Sequence, residues 1–331
     1  MIKYPPIKIN LGLNVLRKRE DGFHDLETLF LESGRFHDTL EIVTGDDYSR
    51  TMASLAARYG DRGGICDGDI PALAQGISEN GKLMITVARA EGVDWDVRKD
   101  LCAKAYALLD NDFKLPPAKI FLEKNSPVGA GLGGGSADAA YTLTMLNDIC
   151  SLGLSTEQLA GYAARLGSDC AFFIFGRPMF GEGRGEVLTP FELAVDIVDA
   201  GGTACSIDGT GNSGSGNDSS GTGTARPCTR EHPEKGRPQY ELQIVIPEGI
   251  SVSTAEAYRG ITPAIPEMRL KDVLARPVSE WKDLLVNDFE ATVFKAHPEL
   301  AAIKQSLYDS GAIYASMSGS GSALFALYER R

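Results

Sequence analysis

Residues 127–140 read Pro127-Val128-Gly129-Ala130-Gly131-Leu132-Gly133-Gly134-Gly135-Ser136-Ala137-Asp138-Ala139-Ala140. Five of the seven residues over 129–135 are glycine, and apolar residues recur at helical spacing from Ser136 to Cys150. Glycine lets the backbone approach a ligand closely, and a helix start offers unpaired N–H groups and the positive end of the helix dipole. We therefore predict a phosphate-binding loop that leads directly into a helix.

Two well-known phosphate loops do not match this segment. It lacks the Lys-Ser/Thr ending of the Walker loop, and no acidic residue follows a strand about 20 positions further on, as in dinucleotide-binding folds. The other interpretation is a tight turn that only packs. One glycine is enough for such a turn, so five glycines favour a ligand.

Upstream of the loop, apolar and polar residues alternate strictly over residues 7–16. A period of two is typical of a half-buried strand, and it places Lys8, Asn10 and Asn14 on one face. A lysine on a strand is most often a solvated edge residue. The position of Lys8 alone therefore leaves both a structural and a functional role open.

The remaining pattern predicts a mixture of strands and helices. Pro116-Pro117 follows a helix over residues 101–109, and Ser155 with Gln158 forms a capping box for a helix that runs to about residue 166. Residues 44–82 lack periodicity and are predicted to be irregular. Strands are predicted over residues 39–43, 118–123 and 243–246, and a strand-turn-strand over residues 312–328.

Two polar segments could carry chemistry or only shape the chain. Asp169 lies between a helix and the apolar run 171–175, where an acid is either a helix N-cap or a catalytic carboxylate. Residues 317–322 read Met317-Ser318-Gly319-Ser320-Gly321-Ser322 and, taken alone, fit a hairpin turn of small residues. Both alternatives stay open from these residues.

The chain is acidic, with 45 Asp and Glu against 33 Lys and Arg and a formal net charge of -12. This balance repels a phosphate backbone and an anionic membrane, so we expect no nucleic acid and no membrane among its partners. No apolar run approaches the roughly 18 residues of a membrane-spanning helix, and the start lacks the apolar core of a signal peptide. We therefore expect a cytoplasmic protein.

A length of 331 residues suggests about two domains. Gly, Ser and Thr occupy 16 of the 23 residues over 201–223, which predicts a mobile surface insertion that continues to about Pro238. The 6 cysteines are scattered, with no Cys-x-x-Cys pair and no histidine at metal-ligand spacing. We expect reduced thiols rather than a disulfide framework or a zinc site.

Three segments, taken in order, resemble the signature motifs of the GHMP kinases, a family of small-molecule kinases. They are Pro6-Ile7-Lys8-Ile9-Asn10-Leu11, the loop over 129–140, and residues 316–322. Within the family, the chain is most similar to the members that phosphorylate a cytidyl-linked methylerythritol. The segments that carry this closer likeness are residues 21–30, with Asp21-Gly22-Phe23-His24, and residues 166–169 and 185–190.

The resemblance implies an α+β fold with two lobes and the active site between them. The N-terminal lobe would be ribosomal-protein-S5-like, and the C-terminal lobe would be a ferredoxin-like α/β unit. We accordingly divide the chain into an N-terminal ATP-binding domain, residues 1–190, and a C-terminal domain, residues 191–331. The second domain would carry the insertion at about 201–238.

The resemblance also implies transfer of the γ-phosphoryl group of ATP, with Mg²⁺, to the 2-hydroxyl of the cytidyl-linked polyol. This is a step of isoprenoid precursor biosynthesis by the non-mevalonate pathway. ATP and the polyol would then be small-molecule partners of a monomer or homodimer. By the same likeness, Asp169 would be the general base and Lys8 its ionic partner.

The other site residues follow from the same likeness. Asn10 would help to position the erythritol part, and Thr254 would also bind the substrate. His24 would hydrogen-bond the cytosine, and Phe23 and Tyr258 would stack on its two faces. No metal ligand is identified. The residues that would hold ATP are Pro127, Gly129, Ala130, Gly131, Leu132, Gly133, Gly134, Gly135 and Ser136.

Two positions depart from the family pattern. Ser136-Ala137-Asp138 stands where Ser-Ser/Thr-Asn is common, so Asp138 brings negative charge to a phosphate site unless it points away or helps to hold the metal. Asp100-Leu101 stands where an Asn-Leu pair often contacts adenine, which makes Asp100 a weak nucleotide-site candidate.

Two other functions stay open. Another GHMP kinase would act on mevalonate, homoserine or a sugar, but Phe23 and His24 favour a substrate that carries cytosine. A regulatory protein that binds nucleotide without turning it over would need neither Lys8 nor Asp169.

Overall fold

A computed structural model of the chain describes residues 1–45, 57–58, 72–200 and 237–330. The predicted insertion over 201–238 lies almost wholly outside these residues, as does much of the predicted irregular segment 44–82. Three of the cysteines, Cys66, Cys205 and Cys228, also lie outside them. The other three, Cys102, Cys150 and Cys170, are free thiols.

Strands and helices are interleaved along the described chain. The strands are β1 (Ile2–Lys3), β2 (Pro6–Lys18), β3 (His24–His37), β4 (Thr39–Thr44), β5 (Leu73–Ile77), β6 (Leu83–Arg89), β7 (Ala118–Lys124), β8 (Met179–Glu182), β9 (Val187–Pro190), β10 (Asp196–Asp199), β11 (Gln239–Val245), β12 (Tyr314–Met317) and β13 (Leu324–Glu329). The helices are α1 (Leu101–Phe113), α2 (Gly134–Ile149), α3 (Thr156–Ala164), α4 (Cys170–Phe175), α5 (Thr254–Arg259), α6 (Leu270–Leu274), α7 (Trp281–Leu284), α8 (Phe289–Ala296) and α9 (Pro298–Asp309). Single 3₁₀ turns span Val97–Lys99 and Val278–Glu280.

The first sheet has the strand order β1-β4-β7-β6-β5, and only β6 and β7 in it are parallel. Its inner face packs against α1, α2 and α3. Ile85, Ile120 and Leu122 of the sheet meet Leu109 and Leu143 of the helices in one buried cluster. Alternate residues of β6 and β7 supply this face, as the period of two in a strand requires.

The second sheet, β2-β3-β8-β9, is antiparallel throughout and lies on the other side of α2. Phe30 packs there with Ala137 and Ala140 of that helix. The opposite face of the second sheet, which includes Ile7 and Ile9, packs on the third sheet. Helix α2 is therefore enclosed between two sheets, which fixes the direction of its N-terminus.

The third sheet has the order β10-β11-β13-β12, in which β10 and β11 are parallel. Phe325 and Leu327 of β13 face the second sheet, whereas Leu324 and Ala326 face α8 and α9. Every residue from Leu324 to Leu327 is thus buried, which explains why this strand reads as a continuous apolar run. The predicted α+β class is confirmed.

Most predicted elements are present with shifted ends. The capping box of Ser155 and Gln158 is formed at the start of α3, and β12 and β13 form the predicted antiparallel pair. The prediction of an irregular segment is wrong for residues 73–77, which form β5 and pair with β6. These residues lack alternation, so their extended form depends on a partner strand rather than on a local pattern.

The connection between β12 and β13 is anchored by Asn287, which is 2% exposed. Its Nδ2 donates to the carbonyls of Met317 (2.7 Å) and Gly319 (2.9 Å). Its Oδ1 accepts from the backbone N–H of Phe289 at 3.0 Å. One side chain therefore ties the hairpin turn to the start of α8.

We predict that Asn287→Ala lowers the free energy of unfolding by about 2–4 kcal/mol, because it leaves buried backbone groups without partners. Urea denaturation measures this change. Asn111→Ala, at an exposed position of α1, is the matched control and should change stability by less than about 0.5 kcal/mol. Equal stability of the two variants would contradict the anchoring role.

Candidate active site

The predicted phosphate loop leads into α2, and no side chain caps the backbone N–H groups at the start of this helix. Gly133 is the N-cap residue, with φ of 71°. The first-turn N–H groups therefore lack a side-chain acceptor, and the helix dipole adds positive potential at the same place. An anion such as a phosphate group fits this end of α2.

A cavity of about 380 Å³ lies over this helix start, and we call it the loop cavity. All of the residues predicted to hold ATP line it: Pro127, Gly129, Ala130, Gly131, Leu132, Gly133, Gly134, Gly135 and Ser136. Side chains from elsewhere complete the wall, namely Trp95, Lys99, Asp100, Leu101, Lys124 and Asp138. The cavity thus combines a backbone surface for phosphate with aromatic, apolar and charged side chains.

The glycines of the loop serve two different purposes. A Cβ on Gly131 would lie 2.3 Å from the carbonyl oxygen of Ser318, and one on Gly133 would lie 3.0 Å from Cγ of Lys8. These two glycines are needed for close packing against other segments. Gly129 has open space around its Cβ position. The packing interpretation is therefore correct for Gly131 and Gly133, and ligand binding by the other glycines stays a prediction.

The hairpin turn at residues 318–322 meets the phosphate loop directly. The N–H of Ala323 donates to the carbonyl of Ala130 at 3.1 Å, and Oγ of Ser318 donates to that of Gly131 at 3.3 Å. The turn of small residues is present as predicted. Its residues additionally pack against the phosphate loop.

Lys8 is buried, at 3% exposure, although β2 is an edge strand. Its ammonium lies 3.3 Å from Oδ2 of Asp169 and donates to the carbonyl of Gly131 at 3.0 Å and to Oδ1 of Asn10 at 2.5 Å. The solvated-edge interpretation is wrong, because the phosphate loop covers this edge. The backbone N–H of Lys8 donates to the carbonyl of Leu132 at 2.8 Å.

Asp169 occupies the N-cap position of α4, but its side chain makes no capping hydrogen bond. The carboxylate instead faces Lys8, and its other oxygen accepts from Oγ of Ser168 at 3.3 Å. The side chain is 29% exposed, so a substrate can reach it. Asp169 is therefore the N-cap residue by position, but its carboxylate does not cap the helix and is accessible for chemistry beside the phosphate loop.

Asn10 is held at both ends of its side chain. Its Oδ1 accepts from Lys8, and its Nδ2 donates to Oγ1 of Thr28 at 3.0 Å, which in turn donates to the carbonyl of Gly12 at 2.7 Å. Only 3% of Asn10 is exposed. Its observed contacts orient Lys8, while its predicted role toward the erythritol part stays a prediction.

The residues predicted to bind cytosine lie together at the edge of the site. His24 stacks on Tyr258 with ring centroids 4.8 Å apart, and Phe23 is 54% exposed with the Arg184 guanidinium 4.8 Å from its ring. His24 thus occupies one face of the Tyr258 ring, and Arg184 lies over the Phe23 ring, which is still more than half exposed. Stacking of Phe23 and Tyr258 on the two faces of one cytosine stays a prediction. Thr254 lies nearby, with Oγ1 3.4 Å from Oγ of Ser320.

The surroundings shift the pKa values of two residues of this aromatic cluster, His24 and Tyr258. Burial lowers the pKa of His24, and the charge of Lys18 lowers it further, so the imidazole is neutral at pH 7 and offers one donor and one acceptor. Burial raises the pKa of Tyr258, and the negative charge of Asp169 adds to this rise. The aromatic cluster and the carboxylate therefore lie within electrostatic reach of each other.

A buried ion cluster lies beneath the loop, and the sequence analysis missed two of its three members. Lys124 is 2.6 Å from Oδ2 of Asp138 and also contacts Asp38. Asp38 accepts backbone N–H groups of Asn125 and Ser126, each at 2.7 Å. Asp138 thus turns toward a cation inside the protein. The position of Lys124, a charge at the end of an apolar strand, was the available signal.

The carboxyl group of Glu32 lies opposite Lys8 in the ladder between β2 and β3. Among the described residues, Oε1 of Glu32 is enclosed and has no hydrogen-bond partner. Burial raises the pKa of Glu32 from 4.5 to about 7. The folded protein therefore binds a proton at Glu32 that the unfolded chain releases near pH 4.5.

We predict that stability falls as the pH rises from about 4.5 to about 7, because the folded state binds the extra proton in this range. The loss should be roughly 1–3 kcal/mol, since one pKa unit corresponds to about 1.4 kcal/mol. Urea denaturation across this range measures it. Glu32→Gln should remove this component, whereas Glu20→Gln, at an exposed position, should keep it. Parallel pH profiles of the wild type and Glu32→Gln would contradict the assignment.

Two features are absent from the described residues. No group of three or more His, Cys, Asp or Glu side chains in them is placed to hold a metal ion. No helix among them has the length and apolarity to cross a membrane.

Two family models match the chain. The GHMP kinases N terminal domain matches residues 100–177, and the GHMP kinases C terminal model matches residues 270–331. The first match contains the phosphate loop and Asp169, and the second contains the hairpin turn.

Curated relatives match over nearly the full length of the chain. A protein of Bacteroides fragilis named 4-diphosphocytidyl-2-C-methyl-D-erythritol kinase is 38% identical over 99% of this chain and 92% of its own length. A protein of the same name from Parabacteroides distasonis is 36% identical over 100% of this chain and 92% of its own length.

Solved structures give the same relation. A crystal structure of 4-(cytidine 5'-diphospho)-2C-methyl-D-erythritol kinase superposes with a TM-score of 0.63 at 25% identity, covering 99% of this chain and 90% of that one. A crystal structure of mevalonate kinase superposes with a TM-score of 0.55 at 11% identity, covering 99% and 91% of the two chains. The second likeness concerns the fold alone.

Proposed function

The chain belongs to the GHMP kinase family, and on that premise we propose that it transfers the γ-phosphoryl group of ATP to the 2-hydroxyl of 4-diphosphocytidyl-2-C-methyl-D-erythritol. The observation that carries this function is the ammonium of Lys8, which joins the Asp169 carboxylate to the phosphate loop. Relatives named for this substrate share 38% of their residues with the chain over 99% of its length.

ATP fits the loop cavity with its phosphates on the first turn of α2. Unpaired amides and the helix dipole attract the phosphate oxygens there, with no need for a Walker lysine. Ser136, in the first turn, adds a hydroxyl donor to the same surface. The remainder of the nucleotide then extends along the wall that Trp95, Lys99 and Leu101 form.

The acceptor hydroxyl lies between Asp169 and the γ-phosphoryl group. Its oxygen attacks the γ-phosphorus, the bond to the β,γ-bridging oxygen breaks, and ADP leaves. The hydroxyl proton passes to the carboxylate of Asp169. Phosphoryl transfer makes few covalent demands on a protein, so positioning and charge stabilisation supply most of the catalysis. A tertiary hydroxyl is a poor nucleophile, which makes this positioning more valuable.

Lys8 supports the transfer in two ways. Its positive charge lies 3.3 Å from the Asp169 carboxylate and stabilises negative charge that develops between the base and the phosphoryl group. Its contacts with Asn10 and Gly131 keep the ammonium in place while the charge distribution changes. The base and the phosphate loop therefore keep a fixed distance from each other.

ATP would react as its magnesium complex. In kinase sites Mg²⁺ keeps several waters and is held by one or two carboxylates and the substrate phosphates. Within the described ranges, no group of three or more His, Cys, Asp or Glu side chains is placed to hold a metal ion. The carboxylates of Asp38 and Asp138 already contact the Lys124 ammonium. We propose that Mg²⁺ enters with ATP and is held mainly by phosphate oxygens.

The cytidyl group would bind at the aromatic cluster of Phe23, His24 and Tyr258. Neutral His24 offers the donor and the acceptor that a cytosine edge requires, and the exposed ring of Phe23 offers a stacking face. Asn10, which contacts Lys8, and Thr254, which lies on the same helix as Tyr258, would contact the polyol part. The proposed division at residue 190 assigns Phe23 and Asp169 to one domain and Tyr258 to the other.

An ADP-release assay with ATP and Mg²⁺ tests the function. We expect turnover of the cytidyl compound and none of the same polyol phosphate without the cytidyl group. Equal turnover of both would contradict the role of His24 and Phe23 and favour another GHMP kinase, for which mevalonate and homoserine are the next substrates to assay. ATP binding with no turnover of any acceptor would indicate a nucleotide-binding protein.

We predict that Asp169→Asn lowers turnover by about 10²-fold or more, the scale of removing a general base, while ATP affinity stays within about threefold. Steady-state kinetics and calorimetric ATP titration measure the two effects. Ser168→Ala is the matched control, because it removes the neighbouring hydroxyl and keeps the carboxylate. Unchanged turnover in Asp169→Asn would overturn the assigned role.

A further inference from the structure

The wall of the loop cavity contains one aromatic side chain, Trp95, among the described residues that line it. The indole is half-buried, and it packs at the edge of the core beneath the first sheet. Leu101 and the exposed Val128 also line the cavity. The cavity thus has apolar surface beside a helix start that suits phosphate. A nucleotide has a matching arrangement, because its base is largely apolar and its phosphates are charged.

The indole of Trp95 is fastened to the start of α1. Its Nε1–H donates to Oδ2 of Asp100 at 3.2 Å, and we call this contact the indole clasp. The other oxygen of Asp100, Oδ1, accepts the backbone N–H of Cys102 at 2.9 Å and so caps α1. Both oxygens of Asp100 therefore bind groups of the protein itself.

The backbone between the two residues is also rigid. Residues Val97–Lys99 form a 3₁₀ turn that Asp96 caps by accepting the N–H of Arg98 at 3.1 Å. The N–H of Asp100 closes this turn on the carbonyl of Val97 at 3.1 Å. The clasp thus spans a short, hydrogen-bonded segment, and it holds the ring in one orientation at the cavity wall.

We propose that the indole of Trp95 is the stacking surface for the purine base of ATP and that Asp100 is a positioning residue that holds this ring. The inference rests on the proposed function, because it takes ATP as the occupant of the loop cavity. Stacking on an aromatic ring tolerates any base, since every base has a π face. Asp100 then acts through Trp95 and not through a hydrogen bond to adenine.

Tryptophan fluorescence provides a direct test without the second substrate. The chain has 2 tryptophans, and the other, Trp281 of helix α7, is fully buried in the core cluster to which the second and third sheets contribute. Titration with MgADP and with MgATP should quench wild-type emission to saturation. Trp95→Phe should lose this response while calorimetry still detects binding, because a phenyl ring also stacks. Trp95→Ala should weaken ATP binding by about 10- to 100-fold, the scale of one base stack.

GTP serves as a second probe for the same variants. Because stacking does not read the edge of the base, Trp95→Ala should reduce the affinities for ATP and GTP by a similar factor. The KM of the acceptor substrate should stay within about twofold of the wild type, since the substituted ring lies away from Asp169. A loss confined to ATP would overturn the stacking assignment.

Asp100→Asn separates positioning from direct contact. The asparagine keeps a cap for α1, but it cannot accept from both Cys102 and Trp95, so the clasp is lost at constant shape. We expect ATP affinity to fall about three- to tenfold in the wild-type background and to stay unchanged in the Trp95→Phe background, where no indole N–H exists. An equal loss in both backgrounds would show that Asp100 contacts the base itself, and would overturn its positioning role.

The remaining outcomes are also decisive. Retention of wild-type ATP affinity by Trp95→Ala, at an unchanged melting temperature, overturns the stacking assignment and leaves the kinase assignment intact. Absence of any nucleotide binding by the wild-type protein overturns both assignments.

Discussion

The ammonium group of Lys8 is the interaction on which the arrangement of the site depends. It is buried, and its protons face the Asp169 carboxylate, the Gly131 carbonyl and the Asn10 amide oxygen. A buried charge is costly unless it is paired and its donors have partners. Displacement of Asp169 would remove the counter-charge, and displacement of either neutral oxygen would leave a buried N–H donor unpaired. The strand, the phosphate loop and the start of α4 are therefore held in one geometry by a single side chain.

Local patterns predicted the parts of this arrangement that depend on local structure. The alternation over residues 7–16 correctly placed Lys8 and Asn10 on one face, and the glycine run correctly predicted a loop that leads directly into a helix. The burial of Lys8 was not predictable in this way, because the cover over β2 comes from the loop more than a hundred residues later. For the same reason, no pattern distinguished the glycines that pack, such as Gly131, from those that face open space.

The features that sequence reasoning missed are contacts between distant segments. Asp38 and Lys124 are separated by 86 positions, and each alone is an ordinary charge at a strand end. The Trp95–Asp100 contact joins residues that are close in sequence, but its position at a cavity wall could not be inferred, because that cavity forms only when α1 and α2 pack together. Strand β5 likewise needs β6 beside it. In each case, the decisive energy is one of packing or desolvation, which no single window of residues contains.

The contact between the phosphate loop and the hairpin turn joins residues that lie 187 positions apart, Gly131 and Ser318. Such a separation gives the nucleotide site a high contact order, and contacts of this kind form late in folding. On the ribosome, the loop emerges long before strand β13, which must pair with β11 and β12 to place the turn. The contact between the loop and the turn therefore cannot form until β13 has left the exit tunnel. The topology thus makes the proposed site one of the last parts of the fold to be completed during synthesis.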